Sequence, residues 1–446
     1  MMPDIAKYLI RNLELFAPNI CFNANREAVL HKTTPIDFPI EQYSHFPAVI
    51  DDKGIPWPPA NLYLLSKLEN INIPNAKTLE SIANDLVVFK RFLTQKDIEY
   101  DHFPKRKLNR PTYLYRAYLV TQVREGQISV NTAKRKISSI VGFYRWLQHQ
   151  TSFNIKYPAW SESERFISFQ DEYGFTQSKS IKQTDLSLKL LPPKYTEGIN
   201  DGGKLKPLNK SEQQQLAIAL KAIGNIEMTL MFLIALTSGA RIQTVCTLRL
   251  NILNSHQYHT GLFVVHTGGN TLIDTKLNKP ITLVIPEWVV IKLKVYANSI
   301  RAKNRRSLSK HYQDDFQSQY IFLTKTGKPY YVSGKDPKIT NYNQPPKGDA
   351  IRQFIKTSLS KQLANKFSFR FHDLRATFGL NLVEEFLSRL DCGEISRLDL
   401  LMLVKERMAH SRLETTEGYL NYRVHNKLIV KTQSEYELFL KGLIDD

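Results

Sequence analysis

Residues 408–422 read Met-Ala-His-Ser-Arg-Leu-Glu-Thr-Thr-Glu-Gly-Tyr-Leu-Asn-Tyr. The stretch sets His410 nine residues before Tyr419, with Thr415 and Thr416 just ahead of the tyrosine as residues suited to a helix start. A polar loop followed by a tyrosine on a short helix aims a phenolic oxygen into a cleft. A phenol holds its proton with an ordinary pKa of about 10. It becomes a nucleophile near neutral pH only beside cations or a base. The rest of the chain has to supply those neighbours.

Working outward, three places offer them. Arg241 follows Thr237-Ser238-Gly239-Ala240, a turn leaving the apolar run Ile226 to Leu236. Lys276 and Lys279 lie in a long turn between two β-rich runs, 262–265 and 282–286. His372 and Arg375 are three apart, one helical turn, so both can face the same cleft. Each has an ordinary structural explanation on its own: a surface ion pair, a solvated hairpin lysine, a helix-end hydrogen bond. The joint order Arg, Lys, His-x-x-Arg, His, Tyr within one basic chain is what carries weight.

At 446 residues the chain is long enough for two or three domains, each with a core. Lys plus Arg is 61 against 42 Asp plus Glu, a formal net charge of +19. With a pI near 9.6, this favours nucleic acid as the partner, without separating DNA from RNA or a binder from an enzyme. No apolar run reaches the roughly 18 to 20 residues of a membrane helix, and the N-terminal residues lack a secretory pattern. Cys21, Cys246 and Cys392 show no paired spacing and read as reduced thiols. A cytoplasmic protein without membrane association is expected.

Four segments are expected. Residues 1–72 form an N-terminal extension, with Ile-Pro-Trp-Pro-Pro at 55–59 as an extended surface segment. Residues 73–150 hold three helices: one behind Thr78 with Leu79, Ile82, Leu86, Phe89 and Leu93 at helical spacing, one from Pro111 to about Gly126, and one capped by Asn131 with Ile137, Ile140, Val141, Tyr144 and Leu147 as its stripe. Lys134, Arg135 and Arg145 lie off that stripe as candidate phosphate contacts. Residues 151–206, with Pro192-Pro193 and Gly202-Gly203, read as a linker. Residues 207–446 alternate helices and short strands, including a third strand at 321–323 and an exposed basic insertion at 300–350. The fold class is α+β, mainly helical, with a small antiparallel sheet.

These motifs together resemble the tyrosine recombinases, or phage-type integrases, over the chain from about residue 75 onward. Thr-Ser-Gly-Ala-Arg resembles the family's first arginine box, His-Asp-Leu-Arg its His-x-x-Arg box, and residues 408–419 its final box. The helices at 78–147 resemble its core-binding domain. The resemblance implies a clamp around DNA. Tyr419 would attack a phosphorus to give a 3′-phosphotyrosyl bond, while Arg241 and Arg375 hold the non-bridging oxygens. Lys276, or Lys279, would be the general acid for the departing 5′-oxygen, His372 and His410 would hydrogen-bond the phosphate, and His372 would assist proton transfer from Tyr419. The bond energy stays in the protein–DNA link, so no cofactor, metal or ATP is implied. A homotetramer on two duplexes is implied, with the apolar positions Leu428, Ile429, Tyr436, Phe439, Leu440 and Leu443 forming a docking tail.

Two features depart from the family. Thr244 stands where an acidic residue usually follows the first arginine by three positions, and Tyr422 is a second tyrosine near the first. His256, His259 and His266 cluster without matching cysteine or carboxylate ligands, so they read as hairpin residues and not a metal site. The expected function is site-specific recombination that integrates or excises a mobile element. The competing readings are topoisomerase IB-like relaxation and a non-catalytic DNA-binding protein.

Overall fold

The computed structural model describes residues 5–22, 28–33, 40–69, 73–150, 153–170, 176–190, 198–254, 258–259, 261–310, 312, 315–364 and 366–444. The chain divides into two units, Met1–Tyr195 with Thr340–Asn343, and Thr196–Ile339 with Gln344–Asp446. No helix among the described residues is long and apolar enough to cross a membrane.

In the first unit, β1 (Ala6–Glu14), β2 (Ala17–Phe22), β3 (Ala28–Thr33) and β4 (Gln42–Ile50) form two antiparallel ribbons, β1 with β4 and β2 with β3. Helix α1 (Pro58–Ser66) corrects the expectation of an extended surface segment at 55–59. Its two prolines occupy the first helical turn, where the N–H they lack has no intrahelical partner to lose, and Trp57 before them is buried. Helices α2 (Ala76–Gln95), α3 (Pro111–Arg124) and α4 (Val130–Leu147) follow. The side chain of Asn75 caps α2 through the Thr78 N–H, and Ser129 caps α4, each a few residues ahead of the cap expected. Leu79, Leu86, Phe89 and Leu93 of α2 share one core with Tyr115, Leu119, Ile137, Ile140 and Tyr144, and with Phe46 and Val49 of β4. A hairpin of β5 (Glu162–Gln170) and β6 (Thr176–Thr184) comes after.

The second unit opens with a tight hairpin, β7 (Ile199–Asn200) and β8 (Lys204–Leu205), inside the segment expected as linker. Helix α5 (Lys210–Ile223) begins at a capping box of Asn209 and Glu212. Helix α6 (Ile226–Ser238) is apolar on all sides and therefore central: Met231, Phe232, Ile234 and Ala235 have no exposure. After α7 (Ile242–Cys246) comes a three-stranded antiparallel sheet of β9 (Tyr258–His259), β10 (Leu262–Thr267) and β11 (Ile281–Pro286), with β10 in the middle. Helices α8 (Glu287–Asn298) and α9 (Ile300–Ser307) follow. Then α10 (Asp349–Phe354) runs through a π turn at Ile355–Leu359 into α11 (Ser360–Gln362). The chain ends with α12 (Asp373–Asp391), α13 (Arg397–Arg407) and α14 (Leu413–Ile444).

Two expectations are corrected here. Residues 321–323 are buried but make no strand: Tyr320 and Leu323 form isolated bridges to Arg249 and Pro329. A three-residue apolar run shows burial, and cannot show pairing. The basic segment from 300 is also not wholly exposed. Arg301 and Arg305, four apart on α9, converge on the fully buried Glu227 at 2.7 and 2.8 Å, and Arg306 is buried against the Ala297 carbonyl. Of the apolar tail positions, the side chains of Leu428, Ile429, Phe439 and Leu443 lie outside those described, while Tyr436 is exposed.

Removing one member of a buried ion pair strands the other charge, at a cost of about 3–5 kcal/mol. Glu227→Ala is therefore expected to destabilise the chain by roughly 3 kcal/mol in urea unfolding, and a loss below about 1 kcal/mol would contradict the burial argument.

Candidate active site

The end of α6 sets the first arginine. Gly239 adopts φ 67°, and its N–H closes on the Ala235 carbonyl at 3.0 Å. A Cβ there would lie 2.7 Å from the Phe378 ring, so glycine is required both for conformation and for space. The reversal places Arg241 at the N-terminus of α7. Across from it, α12 begins directly after His372, which puts Arg375 one turn in. The Arg375 guanidinium donates from Nη1 to the Gly239 carbonyl at 2.9 Å and from Nη2 to the Met408 carbonyl. Two backbone carbonyls thus fix its orientation, and its Nε faces inward.

The final box is held by equally local bonds. Ala409 turns the chain with φ 49°, and the His410 N–H returns to the Lys405 carbonyl at 2.9 Å. The His410 ring lies between Thr416 Oγ1, 3.0 Å from Nδ1, and a carboxylate oxygen, 3.1 Å from Nε2. An ionised carboxylate only accepts, so Nε2 carries the proton and Nδ1 accepts from the threonine. Tyr419, fully buried on α14, stacks on this ring with centroids 5.5 Å apart. Gly379 of α12 leaves the space it occupies: a Cβ at Gly379 would stand 2.5 Å from Tyr419 Cε1.

The carboxylate is Asp201, at the tip of the β7–β8 hairpin. Its Oδ2 accepts from Arg375 Nε at 2.7 Å, His410 Nε2 at 3.1 Å and the Tyr419 hydroxyl at 3.1 Å, and its Oδ1 lies 3.4 Å from Arg241 Nη2. Its backbone carbonyl is 3.2 Å from His372 Nε2. A Cβ on the next residue, Gly202, would lie 3.3 Å from Lys276 Nζ and 3.9 Å from His372 Nε2. All six residues singled out in the sequence therefore converge on Asp201-Gly202.

The electrostatics follow from burial and this one anion. Burial alone would raise the Asp201 carboxyl, but the His410 hydrogen bond and the Arg375 charge outweigh it and hold the group far below the usual carboxylate range. Burial, with the Arg375 charge beside it, lowers Arg241 to about 10 despite Asp201. Burial lowers both His372 and His410, with Asp201 opposing. Burial first, and then the Asp201 charge, push the Tyr419 phenol well above its ordinary value.

Thr244 takes a different part from the acid it replaces. Its hydroxyl donates to the Asp274 carbonyl at 2.9 Å, while the Asp274 N–H donates to Thr247 Oγ1 at 2.8 Å. Helix α7 thereby grips the loop that carries Lys276. Two glycines shape that loop: a Cβ on Gly268 would meet the Lys279 carbonyl at 2.2 Å. Lys279 presents that carbonyl to Thr275 Oγ1 at 2.7 Å, and Lys276 is the lysine beside the hairpin tip. Tyr422 packs among the apolar residues around Leu400 and Val404.

In the first unit, Lys134, Arg135 and Arg145 are exposed, but two are engaged within the chain. Arg135 pairs with the buried Asp85 at 2.5 Å and Arg145 with Glu162 at 2.9 Å. Of the histidine trio, His256 and the side chain of His259 lie outside the described residues, and His266 is exposed on β10. The residue that the sequence reading missed is Asp201, a lone acid in a glycine turn.

Alanine in place of helical glycine ordinarily stabilises by up to about 1 kcal/mol. Gly379→Ala should instead destabilise by about 1–3 kcal/mol by displacing the Tyr419 ring, and a variant as stable as the parent in chemical denaturation would refute that fit. The two lowered histidines give a second expectation. Their folded pKa values lie below the unfolded value of about 6.5, so the folded state resists protonation and stability is lost as pH falls from there. A variant with His372→Gln and His410→Gln should lose less Tm than the parent between pH 7.5 and 5.5. The low Asp201 value acts only below about pH 4 and leaves that window clear.

The model of the phage integrase family matches residues 206–425. No curated protein matches the chain. Among solved structures, the XerH site-specific recombinase bound to difH substrate, a pre-cleavage complex, is 14% identical with a TM-score of 0.46, over 83% of this chain and 84% of its own. The Tn1549 transposon integrase in complex with circular intermediate DNA is 16% identical with a TM-score of 0.42, over 81% of this chain and 94% of its own. A lambda integrase dimer bound to a COC′ core site is 12% identical with a TM-score of 0.44, over 81% of this chain and 94% of its own. The matched span holds Arg241, Lys276, His372, Arg375, His410 and Tyr419 in the order the motifs require and starts just past the Asp201 hairpin. Residues 206–425 are thus a phage integrase family domain, the catalytic domain type of the tyrosine site-specific recombinases.

Proposed function

We propose that this chain cleaves and rejoins double-stranded DNA to integrate or excise a mobile element, through a 3′-phosphotyrosyl link to Tyr419. The observation that carries the reading is the convergence of two arginines, a neutral histidine donor and a tyrosine on one anionic point. A phosphodiester at that point meets the groups its transition state needs. Arg241 and Arg375 hold the non-bridging oxygens, and their charge stabilises the pentacoordinate phosphorus. His410 donates a further hydrogen bond from Nε2.

Tyr419 then attacks in line, the bond to the 5′-oxygen breaks, and Lys276, next to the site, delivers a proton to that oxygen. His372 assists removal of the phenolic proton. Rejoining reverses these steps with the 5′-hydroxyl as nucleophile, so neither ATP nor a metal is needed. The tyrosine acts within its own subunit, since its hydroxyl bonds the same Asp201 oxygen as this chain's Arg375 and His410. Four such chains on two duplexes would complete strand exchange, in the cytoplasm where the DNA lies. Lys134 and its exposed neighbours on α4 contribute phosphate contacts. The charge of +19 supports DNA as partner through counterion release.

A nicked suicide substrate made from the element's ends tests this. The parent and Tyr422→Phe should form a covalent protein–DNA adduct, and Tyr419→Phe none. An adduct with Tyr419→Phe but not with Tyr422→Phe would move the nucleophile. Lys276→Ala should slow cleavage by roughly 10²–10⁴-fold. A 5′-bridging thiolate, which leaves without a proton, should restore most of the rate. No restoration would remove Lys276 from the general-acid role.

A further inference from the structure

We infer that Asp201 is a built-in occupant of the phosphate site, and that the hairpin tip Asp201-Gly202-Gly203 has to withdraw before a DNA phosphate enters. The inference rests on the reading of this cluster as a phosphate site. Each partner assigned to the phosphate is already engaged: Arg241, Arg375, His410 and the Tyr419 hydroxyl on the carboxylate, His372 on the Asp201 carbonyl. A carboxylate and a phosphodiester each carry one negative charge and two oxygens that suit a guanidinium fork. They cannot share the point, because two anions in contact in a buried site repel strongly. Tyr419 in this arrangement faces an acceptor and no electrophile, and it is fully buried.

The hairpin is built to hold its base and release its tip. Ile199 and Leu205, at the base, are each 2% exposed in the core that also contains Tyr419 and Leu420. The Lys206 N–H on Asp373 and the Leu208 N–H on Thr377 fix the following chain at 3.1 and 2.9 Å. The tip has two consecutive glycines with φ 67° and 146°, and a Cβ on Gly203 would meet nothing within 4 Å. The hairpin lies immediately before the span that matches the family, at 206–425, so the occupant is supplied from outside that span.

The experiment titrates the full chain with inorganic phosphate at constant ionic strength, by calorimetry, for the parent, Asp201→Asn, and Asp201→Asn combined with Arg241→Ala. Asp201→Asn should bind phosphate at least tenfold more tightly than the parent, and the added Arg241→Ala should abolish the gain. If Asp201→Asn does not fold in phosphate-free buffer, Asp201→Ser, whose side chain is too short to span the site, gives the same readout. A thermal melt with added phosphate then reports binding as a rise in Tm that the parent does not show. Equal phosphate affinity in parent and variants overturns the inference, as does a gain that survives Arg241→Ala. Loss of the Tyr419–DNA adduct in Asp201→Asn overturns it too, because Asp201 would then serve the reaction. The parent's adduct separates the two readings: an adduct without a gain in phosphate affinity sinks the occupant alone, and absence of both sinks the phosphate site with it.

Discussion

Two guanidinium groups cannot be buried side by side without an anion, and the second unit is built around that constraint. Arg241 and Arg375 cannot shed their protons at neutral pH, so their charge has to be met. Asp201 meets it, and most of the local architecture is what brings one carboxylate to that point. The β7–β8 hairpin turns on two glycines, its base packs under α14, and Arg375 is aimed by the carbonyls at the ends of α6 and α13. Compensation is incomplete for Arg241, whose pKa near 10 reflects burial and a like charge beside it. It makes one longer contact, at 3.4 Å, where Arg375 makes a close one at 2.7 Å. Asp201 thus serves the two arginines unequally.

The exchange of an acid for Thr244 makes sense on the same footing. Threonine instead offers a hydroxyl to the Asp274 carbonyl, and with Thr247 it ties α7 to the lysine loop. The negative charge beside the arginines sits on the hairpin tip at Asp201, and α7 is braced by neutral hydrogen bonds.

How much of this was legible depended on whether the information was local. Helical stripes such as Leu79, Leu86 and Phe89 announced their faces because burial repeats with the helix period. The six motif residues could be named because their order along the chain is itself the signal, and they do meet at one point. Caps were misplaced by a few residues, since Asn75 and Ser129 compete with equally polar neighbours. Arg305 looked exposed because a buried cation is invisible until its partner, Glu227, is known to face it from α6. Asp201 was illegible for a related reason. Asp-Gly-Gly between Ile199-Asn200 and Lys204-Leu205 is a recognisable hairpin turn. A turn signal says where the chain reverses, and nothing about what the reversed tip will touch 40 residues ahead at Arg241 and further on at Tyr419.

That long-range contact also sets the state of the phenol at the centre of the site. Cations near a phenol lower its pKa, yet Tyr419 stands well above its ordinary value, because burial and the Asp201 charge outweigh Arg375 and Arg241. One carboxylate offsets part of the charge of the two cations that hold it. Replacing that carboxylate by a phosphodiester leaves the charge count unchanged. In the proposed reaction what changes is the atom that Tyr419 faces, a phosphorus whose oxygens draw the arginine charge onto the developing transition state. On the proposed reading the chemistry is switched by the identity of the bound anion, with little rearrangement asked of the arginines, the histidines or the tyrosine.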